Sequence, residues 1–300
     1  MKIGLALGAG AARGWAHIGI IEALEELGLE ISVISGCSIG AFVGSAYASG
    51  KLPELKEWAF SLSEWQVLSL LGVGVNKGGL ASGDKVFLKH SKEFCAPTFE
   101  QMKKPFALTA TDLSTGREKI FNQGNVDQSI RASCAIPALF PPVAFEDRWL
   151  VDGAVVNPVP VNICKQLGAD FVIAVNLSAD FRPEMLDNHN KEHLAVQQKT
   201  DDIFARSQSM FRSWFSAEDK ESNTPPGIMT VMSTSLDIMQ ARVTRSRLAG
   251  EPPHVLIEPH LRDVSLLDFH RAEEMYTAGR EAVNRLSEQI LYQFNYIKKL

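Results

Sequence analysis

Apolar positions along this chain follow two rhythms. Residues 2–7, KIGLAL, make a short apolar run that stops at Gly8, whereas Trp15, Ile18, Ile21, Leu24 and Leu27 recur at the spacing of one helix face. The first reads as a buried strand and the second as a helix that Gly28 ends. The pair then repeats, with ISVIS (31–35) as a strand and IGAFVGSAYASG (39–50) as a helix. A βαβα order implies an α/β chain with a mostly parallel sheet and helices packed on it. PFALTAT and EKIFN read as strands joined by the turn DLSTGR, RWLV and FVIAVNL as later strands, and ICKQLGAD as the helix before the last of these.

Two stretches depart from this rhythm. Residues 178–226 are polar and end in NTPPG, which suggests an insertion or lid inside one domain spanning 1–300, and residues 266–297 read as a long closing helix. Inside the insertion, Ile203, Phe204, Ser207, Met210, Phe211, Trp214 and Phe215 recur at helical spacing opposite Asp202, Arg206 and Arg212. A helix packed on the core or on a second subunit explains this stripe most plainly. The sharper reading is a lid that accepts an acyl chain and makes peripheral membrane contact through 203–215.

Charge narrows the partners. With 30 Lys and Arg against 35 Asp and Glu, the net charge is -5, and no basic cluster offers a nucleic-acid surface. Cys37, Cys95, Cys134 and Cys164 are scattered without a C-x-x-C pair, so free thiols in a reducing compartment are expected, with no metal site. The N-terminal apolar run is broken by Gly4, Gly8 and Gly10 and fits a signal peptide poorly. Nor is there a run of about 18 uncharged apolar residues of the kind a spanning helix needs. A cytoplasmic protein, at most peripheral to a membrane, is the expectation; the sequence says nothing of a protein partner.

The candidate chemistry starts at Gly36-Cys37-Ser38-Ile39-Gly40, a G-x-S-x-G placed between a strand and a helix. In that context the glycines permit a sharp turn that lifts the serine hydroxyl above the sheet as a nucleophile. A helix N-cap is the competing use of such a serine. The turn Gly8-Ala9-Gly10-Ala11-Ala12-Arg13-Gly14 places Arg13 where a dinucleotide fingerprint needs its third glycine, and no G-K-[ST] follows to make a P-loop. Its backbone N–H groups, at a helix start, are suited to an anion such as the oxyanion of an ester transition state.

A serine nucleophile needs a base, and two candidates stand open. His260 has the chain position that a Ser-acid-His α/β-hydrolase requires, although the serine follows only one earlier strand; His254 and His270 fit less well, as a strand start and a helix opener. Asp152, directly after an apolar strand and before Gly153 and Ala154, is the alternative, with a turn or cap aspartate as its plainer role. A buried carboxylate serves as base without an imidazole where geometry and desolvation suit it.

The glycine-rich turn with Arg-Gly, then G-x-S-x-G, then Asp-Gly-Ala, in that order, resembles the bacterial branch of the patatin-like phospholipases; so do RASCAIPALFPPV and the C-terminal GEPPHVLIEP. The resemblance implies a three-layer α/β/α fold and a serine-dependent lipid acyl hydrolase without cofactor. It assigns Ser38 as nucleophile, Asp152 as base, the backbone around Gly8, Gly10 and Ala11 as oxyanion donors, and Arg13 as the brace of that loop. Against the family's GGGGxRG, Ala9 and Ala11 stand in place of glycines, a change that is harmless where neither needs positive φ. A regulatory or adaptor protein that keeps this fold with little turnover is the reading from another class.

Overall fold

The computed structural model describes residues 1–76, 79–179 and 228–299. The expected lid and its apolar stripe therefore lie, from residue 180 to 226, outside the described residues. The strands are β1 (Ile3–Leu7), β2 (Ile31–Cys37), β3 (Val73–Asn76), β4 (Gly79–Ala81), β5 (Phe106–Asp112), β6 (Glu118–Phe121), β7 (Val143–Phe145), β8 (Arg148–Asp152), β9 (Phe171–Val175) and β10 (Val255–Ile257). The helices are α1 (Ala16–Glu26), α2 (Ile39–Ala48), α3 (Leu52–Ser61), α4 (Glu64–Leu71), α5 (Asp84–Glu93), α6 (Val126–Ser133), α7 (Val161–Gln166), α8 (Ile228–Gly250) and α9 (Ala272–Lys298).

Among the described residues, eight strands form one sheet in the order β10-β9-β1-β2-β5-β8-β7, with β6 also on β5; β3 and β4 make a separate ribbon. The first five are mutually parallel, whereas β6, β7 and β8 run antiparallel to their neighbours. Strand alternation sorts the layers. Leu5, Leu7, Phe171, Ile173 and Val175 face the large core under α1, α2 and α9, while Ala6, Val172 and Ala174 face Val161 and Cys164 of α7 and Leu248 of α8. This is the three-layer α/β/α arrangement, and it explains why IGLAL, residues 3–7, is apolar throughout: both its faces are covered.

Some elements differ from the sequence reading. The first helix opens with a 3-10 turn over Ala11–Trp15, and the closing helix begins at Ala272 instead of residue 266. The segment before it is pinned as irregular chain by the N-terminal loop. Ala12 N–H donates to the Leu266 carbonyl, Arg13 Nε to that of Val264 and Trp15 Nε1 to that of Phe269, each at 3.0 Å. Among the described residues no helix is long and apolar enough to cross a membrane.

Candidate active site

The site is made by strand pairing on β5. Its one edge carries β6 along Leu108–Thr111; its other edge carries β2 along Phe106–Thr109 and then β8 along Ala110–Asp112. Because β2 runs parallel and β8 antiparallel to β5, their C-terminal ends meet head to head. Cys37 lies opposite Thr109 and Asp152 opposite the next residue, Ala110. Ser38, the first residue past β2, is thereby brought to Asp152.

Ser38 Oγ donates to Asp152 Oδ2 at 2.6 Å, with both residues buried. Ser38 does occupy the N-cap position of α2, but its side chain caps nothing and turns to the carboxylate instead. Its backbone is strained, with φ 56° and ψ -123°, a conformation that costs an ordinary residue about 1–3 kcal/mol. Gly40 and Gly14 make this elbow possible by close approach: a Cβ on Gly40 would run into the Leu7 carbonyl, and one on Gly14 into the Ile39 side chain. The glycine-rich turn therefore packs directly on the first residue of α2.

Asp152 is held at four points. Its Oδ1 accepts from Ala154 N–H at 2.8 Å, its N–H donates to the Ala135 carbonyl at 3.0 Å, and its own carbonyl accepts from Thr111 Oγ1 at 2.8 Å. The fourth is the Ser38 hydroxyl on Oδ2. The cap role and the serine contact thus belong to one carboxylate, one oxygen each, across the short turn over Gly153–Val155. Burial pushes the Asp152 carboxyl up to about 7, against the opposing pull of the bonds from Ser38 and Ala154. Cys37 Sγ lies 4.0 Å from Oδ1, and burial pushes the thiols of Cys37 and Cys134 well up, so both stay protonated beside it.

Most N–H groups of the glycine-rich turn are already used. Gly8 N–H donates to Val175 O at 3.1 Å, Ala9 N–H to Pro158 O at 2.9 Å, Ala12 N–H to Leu266 O at 3.0 Å and Arg13 N–H to Gly10 O at 3.1 Å. Those of Gly10 and Ala11 make no protein hydrogen bond among the described residues. Ala11 has φ 49°, so the condition under which both alanines are harmless replacements is not met at this position. A β-carbon in the left-handed region costs roughly 1–2 kcal/mol, a strain that glycine in the family pattern avoids. Arg13 is buried with its Nε on the Val264 carbonyl, and buried His17 bonds the Gly8 carbonyl through Nε2 at 2.8 Å.

Of the candidate base histidines, neither His260 nor His254 is bonded to Ser38 or Asp152 among the described residues. His260 is exposed, just past β10, the far edge of the sheet. That strand is three neighbours from β2, or roughly 14 Å at the usual spacing of strands. His254 accepts from Val172 N–H through Nδ1, and its ring stacks on Phe171. No group of three or more His, Cys, Asp or Glu among the described residues is arranged to hold a metal ion. Sequence reasoning missed Ser133, Ala135 and Thr111, whose contacts with the site join residues far apart in the chain.

Residues 5–165 match the family described as patatin-like phospholipase. The chain is 32% identical to an NTE family protein of Mycobacterium tuberculosis over 96% of its own length and 91% of that protein. It is 28% identical to a lysophospholipase of Neurospora crassa over 96% of its length, but spans only 18% of that protein. Among solved structures, VipD from Legionella pneumophila is similar over 95% of this chain and 66% of that one, with a TM-score of 0.45 and 14% identity. The chain belongs to the patatin-like phospholipase family, a family of carboxylic ester hydrolases.

Proposed function

We propose that this protein hydrolyses lipid acyl esters through an acyl-serine on Ser38, with Asp152 as general base. The observation that carries the reading is the 2.6 Å bond from Ser38 Oγ to a buried carboxylate that, among the described residues, has no imidazole on it. As Oγ attacks the ester carbonyl, its proton passes to Asp152 Oδ2, and the N–H groups of Gly10 and Ala11 receive the oxyanion. Gly8, whose N–H is engaged by Val175, drops out of the donor set. Collapse expels the alcohol, which takes the proton from Asp152. Water then attacks the acyl-serine, gives its proton to Asp152, and the fatty acid leaves as that proton returns to Oγ. A carboxyl raised to about 7 is matched to this work near neutral pH.

The substrate class rests on the family and on the fungal relatives named as lysophospholipases, of which the chain covers a small part. A lysophospholipid or phospholipid acyl ester is the substrate of this reading, reached from the cytoplasmic side by peripheral contact through residues 203–215. The experiment is active-site labelling with a fluorophosphonate, followed by peptide mapping. The phosphonyl group is expected on Ser38 and absent from Ser38→Ala; equal labelling of that variant overturns the reading.

A further inference from the structure

We propose that the three residues Ser133-Cys134-Ala135, at the end of α6, are a gauge that sets the contact between Ser38 and Asp152, with Ser133 as a positioning residue of the reaction. Ser38 N–H donates to Ser133 Oγ at 2.9 Å, and Asp152 N–H donates to the Ala135 carbonyl at 3.0 Å. Both partners of the site are therefore tied, through their backbones, to residues two apart on one short segment. That segment is held in the core: Cys134 N–H continues the helix to Ile130 O at 2.9 Å, and both Ser133 and Cys134 are buried. No other hydrogen bond to the strained Ser38 amide exists among the described residues, so Ser133 alone holds that N–H.

Removing the acceptor leaves a buried donor unmade at the residue whose backbone is strained. The elbow then relaxes and Oγ leaves its line with Asp152. Ser133 is fully buried and acts through the Ser38 backbone, so the loss is expected on kcat and not on KM. The bond is of a kind whose loss costs between about fivefold and a hundredfold in rate. Ser129, one turn earlier on α6, offers a control. It is also buried, but its Oγ bonds the Asn125 carbonyl and does not reach the site.

This inference rests on the Ser38–Asp152 reading, and the test separates the two. Ser133→Ala, Ser133→Thr and Ser129→Ala are compared with wild type for turnover of p-nitrophenyl butyrate and for fluorophosphonate labelling, with Ser38→Ala as the blank. Ser133→Ala is expected to lose about tenfold in kcat and in labelling rate with KM unchanged, Ser133→Thr to regain most of it by restoring the hydroxyl, and Ser129→Ala to keep wild-type kcat. A folded Ser133→Ala protein with wild-type kcat, or an equal loss in Ser129→Ala, overturns the gauge. Should Ser133→Ala not fold, Ser133→Thr decides: a folded protein with the hydroxyl present and kcat still about tenfold down contradicts it. Wild type that takes no label on Ser38 instead defeats the underlying reading.

Discussion

Ser38 and Asp152, 114 residues apart in the chain, touch because two strands end against each other on one edge of β5. The contact buries a carboxylate that, among the described residues, accepts from Ser38, Ala154 and more weakly Cys37 and has no charged partner on it, and that environment has consequences in pH.

Activity is expected to rise with pH through about 7, because Asp152 must be deprotonated to act and burial raises its carboxyl to that value. A His base would rise in nearly the same place. The discriminating form of the measurement is the pH–rate profile of His260→Ala, which is expected to keep the wild-type midpoint.

Stability is expected to move the other way. Between the unfolded carboxyl value of 3.8 and the folded value of about 7, the native protein binds a proton that the unfolded chain has released. Stability therefore falls as pH rises across that window and is flat above it, by about 4 kcal/mol in all for this one group. Asp152→Asn removes the cost while an amide fills the same space, so its denaturant midpoint at pH 8 is expected above that of wild type. Equal midpoints at pH 8 would contradict the burial of an ionised carboxylate.

The left-handed Ala11 gives a prediction about the loop. Ala11→Gly relieves roughly 1–2 kcal/mol of backbone strain and adds about 0.5–1 kcal/mol of unfolded-state entropy, for a net gain of up to about 1.5 kcal/mol with turnover kept. Ala11→Val, β-branched at positive φ, is expected to lose both stability and turnover. Chemical denaturation with parallel ester assays reads both.

Gly40→Ala tests the close packing of the elbow on β1. Its new methyl meets the Leu7 carbonyl, so α2 must shift. The expected cost is about 1–3 kcal/mol of stability, together with slower labelling of Ser38. Wild-type labelling in that variant would show that the approach is not needed.

How much of this was readable beforehand follows from what each residue depends on. The strand–turn–helix around Ser38 depends on neighbours in sequence, so periodicity and the two glycines disclosed it. Read from the residues alone, Asp152 and His260 stayed open and only the family resemblance favoured Asp152, because the contact depends on β8 stopping at Ala110 and strand order is not written in any local pattern. Ser133 was hidden for the same reason, since a serine at a helix end carries no sign of what its hydroxyl will accept. The helices α3 to α6 were also missed. Ser63 and Gln66 form a capping box that marks the start of α4, a signal the apolar rhythm alone passes over. Ala11 shows the reverse case, a residue whose identity argued against the backbone conformation it adopts.

The central claim, that the serine proton goes to Asp152 and to no imidazole, is tested most directly by the turnover of Asp152→Asn beside His260→Ala on one soluble ester. The account predicts a folded Asp152→Asn protein with kcat reduced by about 10²–10⁴-fold and a His260→Ala protein close to wild type. An active Asp152→Asn protein, or a folded His260→Ala protein without turnover, would contradict it.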